Sequence, residues 1–412
     1  MSTIPVVTSA IEEKDTLKSA AANYISRVKT GDIGSLPAVL GLVALIIVFG
    51  VMSEFFLTSR NFANLLTQAA PVIVIAMGLV FVLLLGEIDL SAGYASGVCG
   101  AVLVLLVTNY GWAWYTALTV SIAVGAILGF LMGSLVSRVG IPSFVVTLAA
   151  FLAFQGVLLL LAGEGGTIPI ADKTILAAEN SSLTPMQGWI GWIVISVLYV
   201  LSGLNRINSR RRAGLVAELT QLWAMKTIGL LVITGGAVLV LNRERSFSAA
   251  NSTKGIPLVV PIILVILFIG TFILSRTSFG RHIYAVGGNA EAARRAGINV
   301  KRVRTVAFVL CSSLAAVAGM LFASRMNSIS PTTGGSSTLL YAVGAAVIGG
   351  VSLFGGKGRM RDAILGGLVV AVIDNGMGLL GYGSGIQFIV TGAVLLISAG
   401  VDAVSRHGAM SN

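Results

Sequence analysis

AAPVIVIAMGLVFVLLLG (69–86) contains no charged residue. At 1.5 Å of rise per residue, a helix of this length crosses most of the ~30 Å hydrocarbon core of a bilayer. Such continuous apolar runs exclude a β-barrel, whose strands alternate apolar and polar residues. The sequence therefore predicts an all-α polytopic membrane protein with about 12 transmembrane helices. The other apolar runs lie near 37–54, 94–107, 112–135, 143–162, 188–204, 225–242, 256–275, 303–324, 338–354, 362–382 and 386–403.

Composition supports the same class. The chain has 412 residues, of which 56% are hydrophobic and only 10% charged, and its mean hydropathy is +0.95. Soluble domains carry about 25% charged residues, so this chain cannot cover a water-facing surface in the usual way. The net charge of +11 comes from basic residues clustered in a few loops. That pattern indicates cytoplasmic loops rather than a nucleic-acid partner, because the basic residues are not part of a combined aromatic and basic surface that could stack on bases.

The charged loops predict an orientation. Arginines and lysines concentrate in the connections 205–224, 276–302 and 355–361, whereas the connection 163–187 contains Glu164, Asp172 and Glu179. With twelve spans and a cytoplasmic N-terminus, all three basic loops face the cytoplasm and the acidic loop faces outside. We therefore expect both termini in the cytoplasm. The expected divisions are an N-terminal tail (1–36, helical near 10–29), a membrane domain (37–404) and a C-terminal tail (405–412).

Two of the apolar runs differ from a full transmembrane span. The runs 94–107 and 338–354 are short or glycine-rich, which predicts broken or re-entrant helices buried by surrounding protein.

Cys99 and Cys311 lie in apolar runs, so we expect buried thiols, with one disulfide as the alternative. His282 and His407 stand apart from other ligand types. We therefore expect no metal site and no cofactor.

The stretch GGNAEAARRAGINVKRVR (287–304) predicts a short helix from Ala290 to Ala296 in a basic loop. A helix of two turns is marginal in water, so it needs a partner surface. Ala292, Ala293 and Ala296 give it a small-residue face. Two interpretations remain open, namely a solvated loop that only sets topology and a docking helix for a cytoplasmic protein. The helix signals are Asn289 as N-cap, Glu291 in the first turn, Arg294 and Arg295 near the end, and Gly297 as a left-handed stop.

The sequence resembles a known family over roughly residues 55–405. RTSFGRHIYAVGGNAEAARRAGINVKRVR (276–304) resembles the cytoplasmic coupling segment of permeases from bacterial ABC monosaccharide importers, the ribose, arabinose, galactose and xylose type. Other segments resemble the same family in the family's order. These are GEIDLSAG (86–93), PSFVVTLAAFLAFQGVLL (142–159), VIGGVSLFGGKG (347–358), IDNGMGLL (373–380) and QFIVTGAVLL (387–396).

This resemblance implies a transport subunit of the bacterial cytoplasmic membrane. A separate cytoplasmic ABC ATPase would dock at 287–297, an extracytoplasmic sugar-binding protein would deliver substrate, and two permease copies would form the pathway. The chain itself would hold no ATP site. The coupling residues would be Asn289, Glu291, Ala292, Arg294, Arg295 and Gly297.

Within the family, the chain is most similar to the xylose type. Two extra helices between the 143–162 run and the coupling loop, within 188–255, resemble the insertion of that type. We expect this pair to pack on the lipid-facing periphery, since the family's ten-helix core connects without it. The Arg206–Arg212 cluster would then attract anionic lipid at the cytoplasmic headgroups.

Five polar residues in or beside apolar runs are candidates for the translocation path. Glu87 and Asp89 either cap the following helix together with Ser91 or form part of the path or its gate. Asp374, Asn375 and Gln155 are each either pore-lining groups that bind sugar hydroxyls or interhelical clamps, the clamp being favoured for Gln155. Ionisable groups within spans are costly to bury, which makes Asp374 a functional candidate.

The glycines at 349, 350, 355, 356 and 358 do not form a phosphate-binding loop. Lys357 is followed by glycine rather than serine or threonine, so the P-loop pattern fails. Close helix approach and chain turns account for them better. Two rival functions stay open: an ion-coupled secondary sugar transporter, for which Asp374 is the clearest ionisable group, and a membrane-embedded enzyme, against which the isolated histidines argue.

Overall fold

The computed structural model describes residues 36–163, 166–214, 220–246 and 252–410. The predicted N-terminal tail apart from its last residue, the helix near 10–29, Glu164, part of the loop 205–224 and the last two residues of the C-terminal tail lie outside the described residues. The structure is built from α-helices, with two very short strands. Its elements are α1 (Leu36–Met52), α2 (Ser59–Leu83), α3 (Ala92–Thr108), α4 (Trp114–Ser134, extended by a π-helical turn Leu135–Val139), α5 (Ser143–Ala162), β1 (Ile168–Pro169), α6 (Lys173–Asn180), α7 (Pro185–Arg212), α8 (Thr220–Leu241), α9 (Val259–Arg276), α10 (Ser278–Gly288), α11 (Ala290–Arg295), α12 (Val300–Met326), β2 (Ser328–Ile329), α13 (Ser336–Gly349), α14 (Met360–Leu379) and α15 (Ser384–Met410).

The helices correspond to the predicted apolar runs. Within the described residues, 8 helices are long and apolar enough to cross a membrane, and α1, α3, α13 and the first part of α15 are shorter apolar helices. Together they match the twelve runs one to one, so the prediction of an all-α polytopic membrane protein is confirmed. Several boundaries differ, and the largest difference is at α2, which begins at Ser59, well before the apolar run at 69. Its first turns therefore bring polar side chains into the helix bundle.

The chain divides into two compact units. The described part of the larger unit comprises residues 36–163, 166–185, 240–246 and 252–403, and that of the smaller one comprises 186–214, 220–239 and 404–410. Within the smaller unit, the Trp192 indole Nε1 donates to Thr234 Oγ1 over 3.0 Å, which links α7 to α8. A Cβ built at Gly203 would lie 2.6 Å from Cζ2 of Trp223, so the indole ring packs directly against the backbone of Gly203. The peripheral placement of this helix pair stays a prediction.

Two antiparallel helices, α2 and α12, form the centre of the larger unit. Arg325 Nη1 donates to Thr67 Oγ1 over 2.9 Å near one end of the pair. Further along, a Cβ at Gly78 would lie 3.0 Å from the Cys311 carbonyl oxygen. Around this pair the contacts follow a two-fold pattern, since α12 packs on α3 and α4 while α2 packs on α13 and α14. Cys99 and Cys311 are free and buried, so the thiol interpretation is confirmed and the disulfide alternative was wrong.

The short helices α3 and α13 meet inside this unit. Each begins after a non-helical segment, and their starts approach so closely that a Cβ at Gly93 would lie 2.3 Å from the Gly334 carbonyl oxygen. α3 is buried along most of its length. Neighbouring protein therefore covers most of α3, and the assignment of these two runs as broken or re-entrant spans stays a prediction.

Glycine contacts also join α13 to α14. A Cβ at Gly349 would lie 1.8 Å from the Asp362 carbonyl oxygen, and one at Gly366 would lie 1.7 Å from the Ala345 carbonyl oxygen. Only glycine permits two helix backbones to approach to this distance. The close-approach interpretation of the glycine-rich run is confirmed at Gly349.

Candidate functional site

One end of the larger unit carries α10, α11 and the loop 350–359, and we call it the basic end. The linker 84–91 between α2 and α3 lies here too, because the Gly356 N–H donates to the Leu84 carbonyl over 2.8 Å. The other end, called the distal end, contains α6, the paired strands β1 and β2, and the first turns of α2. The candidate residues fall into groups at the two ends and between them.

Helix α10 is anchored to the core at the basic end. Thr277 Oγ1 caps it by accepting the Gly280 N–H over 3.1 Å, and Ile283 and Val286 are buried. Tyr284 Oη donates to the Gly358 carbonyl over 2.7 Å. At Gly287 the helix backbone packs against the α2–α3 linker, since a Cβ there would lie 1.8 Å from the Leu84 carbonyl oxygen.

Helix α11 forms as the sequence predicted, ending one residue earlier, at Arg295. Asn289 Oδ1 accepts the Ala292 N–H over 2.9 Å, and Gly297 has φ +84, the left-handed conformation of a helix stop. Glu291 pairs with Arg294 at 2.9 Å and with Arg295 at 3.2 Å. Hydrogen bonds from these two arginines lower the pKa of Glu291 from its ordinary value. Interactions between neighbouring residues therefore define both ends of α11.

The predicted small-residue face of α11 needs correction. Ala293 is buried and packs against the core, whereas Ala292 and Ala296 are exposed. The three alanines therefore do not share one outward face, because Ala293 holds α11 on the core. The outward surface consists of Glu291, Ala292, Arg294, Arg295 and Ala296, with the Arg294 and Arg295 side chains 72% and 80% exposed.

Glu87 and Asp89 have different roles in the linker that follows α2. Glu87 Oε1 lies 3.0 Å from Arg304 Nε at the start of α12, which ties the linker to the segment leaving α11. Asp89 is fully buried and accepts from the Ser91 N–H and hydroxyl over 2.9 and 2.6 Å. Ser91, the N-cap of α3, makes no side-chain cap hydrogen bond. Of the capping alternative, the Asp89 part is present, since Asp89 binds Ser91 at the start of α3, whereas Glu87 pairs with Arg304 and does not cap α3.

Asp374 and Asn375 face the first turns of α2, between the middle of α14 and its distal end. Asn375 and Asn61 exchange two amide hydrogen bonds, of 2.8 and 3.0 Å, and both are buried. Gln68 Nε2 donates to Asp374, which is only partly buried and interacts electrostatically with Arg325. Asn375 thus has the geometry of an interhelical clamp, while Asp374 belongs to a polar seam of Gln68, Asp374 and Arg325 that continues from Thr67.

Gln155 differs from both. It is exposed on α5, between the exposed Leu152 and Val157, and makes no hydrogen bond within the part of the chain that the structure describes. The favoured clamp interpretation is therefore wrong within this chain. An amide on an otherwise apolar outer face needs a polar partner outside the chain, because lipid cannot hydrogen-bond it.

Comparison with known proteins decides the family. The family described as the permease component of branched-chain amino acid transport systems matches residues 61–399, most of the chain. This chain belongs to that permease family. It is therefore a multi-pass membrane component of a transport system.

Several characterised relatives resemble the permease over most of their length. The xylose transport system permease protein XylH of Haemophilus influenzae is 34% identical over 85% of this chain and 91% of its own. XylH of Escherichia coli K12 is 35% identical over 85% of this chain and 87% of its own length. The ribose import permease protein RbsC of E. coli K12 is 28% identical over 89% of this chain and 92% of its own length. No solved structure matches the permease significantly.

Sequence reasoning missed several polar residues of the permease. Asn61 and Gln68 precede the apolar run at 69, so the run did not include them, although α2 does. Arg325 directly follows the run 303–324, and a cation at the edge of a run was the available signal. The partners of Asn61, Gln68 and Arg325 lie 314, 306 and 258 residues away along the chain, and no local pattern predicts such pairings.

Proposed function

We propose that this permease is the transmembrane subunit of an ATP-driven importer for a pentose, with D-xylose as its preferred substrate. Similarity to the two xylose permeases carries this proposal, because both exceed the ribose permease in identity at nearly equal coverage. The two extra helices between α5 and the coupling segment support the same substrate. These helices are α7 and α8.

We further propose that a separate ATPase docks on α11 at the basic end. The outward surface of α11 is charged and exposed, while Ala293 packs its inner side on the core. Tyr284 and Gly287 hold the preceding helix, α10, against the core. A movement imposed on α11 would pass to α10, whose Gly287 contacts the α2–α3 linker at Leu84. The Glu87–Arg304 pair would carry it from this linker to α12. The surrounding arginines and lysines support a cytoplasmic location for this end.

The distal end would then receive sugar from an extracytoplasmic binding protein, and two permease copies would form the pathway. Exposed Gln155 supports a second copy or a water-filled path beside α5, since either supplies the hydrogen-bond partner that lipid lacks. Asp374, with Gln68, is our candidate for a group that lines the path, and Asn375 for a clamp behind it.

The experiment is sugar uptake by the reconstituted importer. The permease, its ATPase and its binding protein should together import radiolabelled D-xylose. Excess unlabelled D-xylose should block this uptake at least tenfold more effectively than D-ribose or L-leucine. If L-leucine or D-ribose competes better than D-xylose, the substrate assignment fails.

A further inference from the structure

A polar cavity opens at the distal end of the larger unit. Its volume is about 550 Å³, and its walls come from the first turns of α2, the end of α6 and the segments around Arg245 and Thr253. Small-molecule sites have volumes of about 300–1,000 Å³, so the cavity is large enough for a monosaccharide. Ala63 and Pro257 are its only apolar lining residues within the described part of the chain.

Glu179 is one of the residues that line this cavity, and its carboxyl group is buried and has no hydrogen-bond partner in the described chain. The residue is 5% exposed, and neither carboxyl oxygen has a partner among the residues that the structure describes. Its position is fixed, because its N–H donates to Ser324 Oγ over 3.0 Å and the Asn180 amide donates to the Ser324 carbonyl over 2.8 Å. Burial raises the pKa of Glu179 to about 9, against the opposing charge of Arg325. At neutral pH this group is therefore a carboxylic acid, which can both donate and accept hydrogen bonds.

Arg245 supplies a second unpartnered group in the same cavity. It is 7% exposed, its Nη2 donates to Ser182 Oγ over 3.1 Å, and its Nη1 is buried without a hydrogen-bond partner in the described chain. Arg60 holds this segment in place by donating to the Arg245 carbonyl. Two residues of one cavity wall thus each contain a buried polar group without a partner, the Glu179 carboxyl group and Arg245 Nη1, and these groups do not bind each other. Native proteins rarely leave buried polar groups unsatisfied, so such groups point to a missing ligand.

We propose that this cavity binds an uncharged monosaccharide through Glu179 and Arg245, with Asn64 and Asn180 at its walls. The assignment rests on the proposed function and adds the residues at which sugar enters the permease. Sugar hydroxyl groups donate and accept, so they satisfy both unpartnered groups without adding charge. A branched-chain amino acid fits less well, because nine of the eleven described lining residues have polar or charged side chains, and only Ala63 and Pro257 offer an apolar one.

The cavity leads towards the polar seam. Thr67 lines it and also accepts the hydrogen bond from Arg325. The next residue, Gln68, donates to Asp374. A sugar released from this cavity therefore meets further hydrogen-bonding groups between α2 and α14 rather than apolar side chains.

The test is protection of a cysteine in the cavity. Ala63→Cys introduces one accessible thiol, since Cys99 and Cys311 are buried. In proteoliposomes, 10 mM D-xylose should slow its reaction with a membrane-impermeant thiol reagent at least threefold, and L-leucine should not. The control is Asn109→Cys, in the exposed loop between α3 and α4, whose labelling should not change.

When Glu179→Leu is added to Ala63→Cys, D-xylose should no longer protect the introduced thiol. This variant removes a buried, unpartnered carboxyl group, so its melting temperature should equal or exceed that of the parent. Should it fail to fold, Asn64→Leu on the exposed side of α2 should still weaken protection at least threefold. Protection that survives both changes, or that L-leucine alone provides, overturns the proposal.

The uptake assay separates this proposal from the function on which it rests. If the importer transports D-xylose while none of D-xylose, D-ribose, L-arabinose and D-glucose protects Ala63→Cys, the cavity assignment is wrong and the function stands. If another of these sugars protects and D-xylose is not transported, the cavity assignment stands and the choice of substrate is wrong.

Discussion

Replacing Gly287 by alanine is expected to abolish ATP-driven uptake while the permease still inserts into the membrane. The new Cβ would lie 1.8 Å from the Leu84 carbonyl oxygen and 2.8 Å from the Gly356 backbone nitrogen. Both neighbours are backbone atoms, so α10 must move away by more than an ångström. That movement breaks the contact through which we propose that α11 drives the α2–α3 linker. We expect at least a fiftyfold loss of the initial uptake rate in proteoliposomes.

Gly288 provides the matched control. It is the next residue of α10, and nothing lies within 4 Å of a Cβ built there. Gly288→Ala should therefore transport at close to the wild-type rate. The ATPase should hydrolyse ATP with either variant, but the binding protein should stimulate hydrolysis only with Gly288→Ala. Normal uptake by Gly287→Ala would show that the contact at Leu84 does not transmit the movement.

Gly366→Ala is expected to destabilise the permease severely. A Cβ at this position of α14 would lie 1.7 Å from the Ala345 carbonyl oxygen and 2.7 Å from the Gly349 nitrogen, both on α13. Overpacking a well-packed core costs about 1–3 kcal/mol, and a clash with backbone lies at the upper end because no side chain can rotate away. We expect a much lower yield of monodisperse protein in detergent and a reduced melting temperature.

The control for this change lies on the same helix. Gly378 has nothing within 4 Å of a built Cβ, so Gly378→Ala should be neutral or slightly stabilising, since alanine favours helix more than glycine does. Equal melting temperatures for the two variants would contradict the close approach of α13 and α14.

Local chemistry explains which features could be predicted from the sequence. The ends of α11 depend on Asn289 and Gly297, whose capping roles need only neighbouring residues. The spans follow from apolar length, which the bilayer sets. The short runs at α3 and α13 were also visible, because length and glycine content differ from those of a full span.

Long-range packing explains what could not be predicted. The inward position of Ala293 depends on the core surface beneath α11, and the exposure of Gln155 depends on which face of α5 the rest of the chain covers. The Asn61–Asn375 pair joins residues 314 positions apart. The sequence showed Glu179 only as an acidic residue of a connection predicted to face outside. Its burial follows from the packing of α6 on α12.

The energy source of uptake tests the central claim most directly. Proteoliposomes that contain the permease, its ATPase and its binding protein should accumulate D-xylose only with ATP on the ATPase side. A protonophore and a sodium ionophore together should leave the rate unchanged. If the permease alone accumulates sugar on an imposed proton or sodium gradient, and the protonophore or ionophore abolishes that uptake, the protein is an ion-coupled secondary transporter and the account of α11 as an ATPase docking element is wrong.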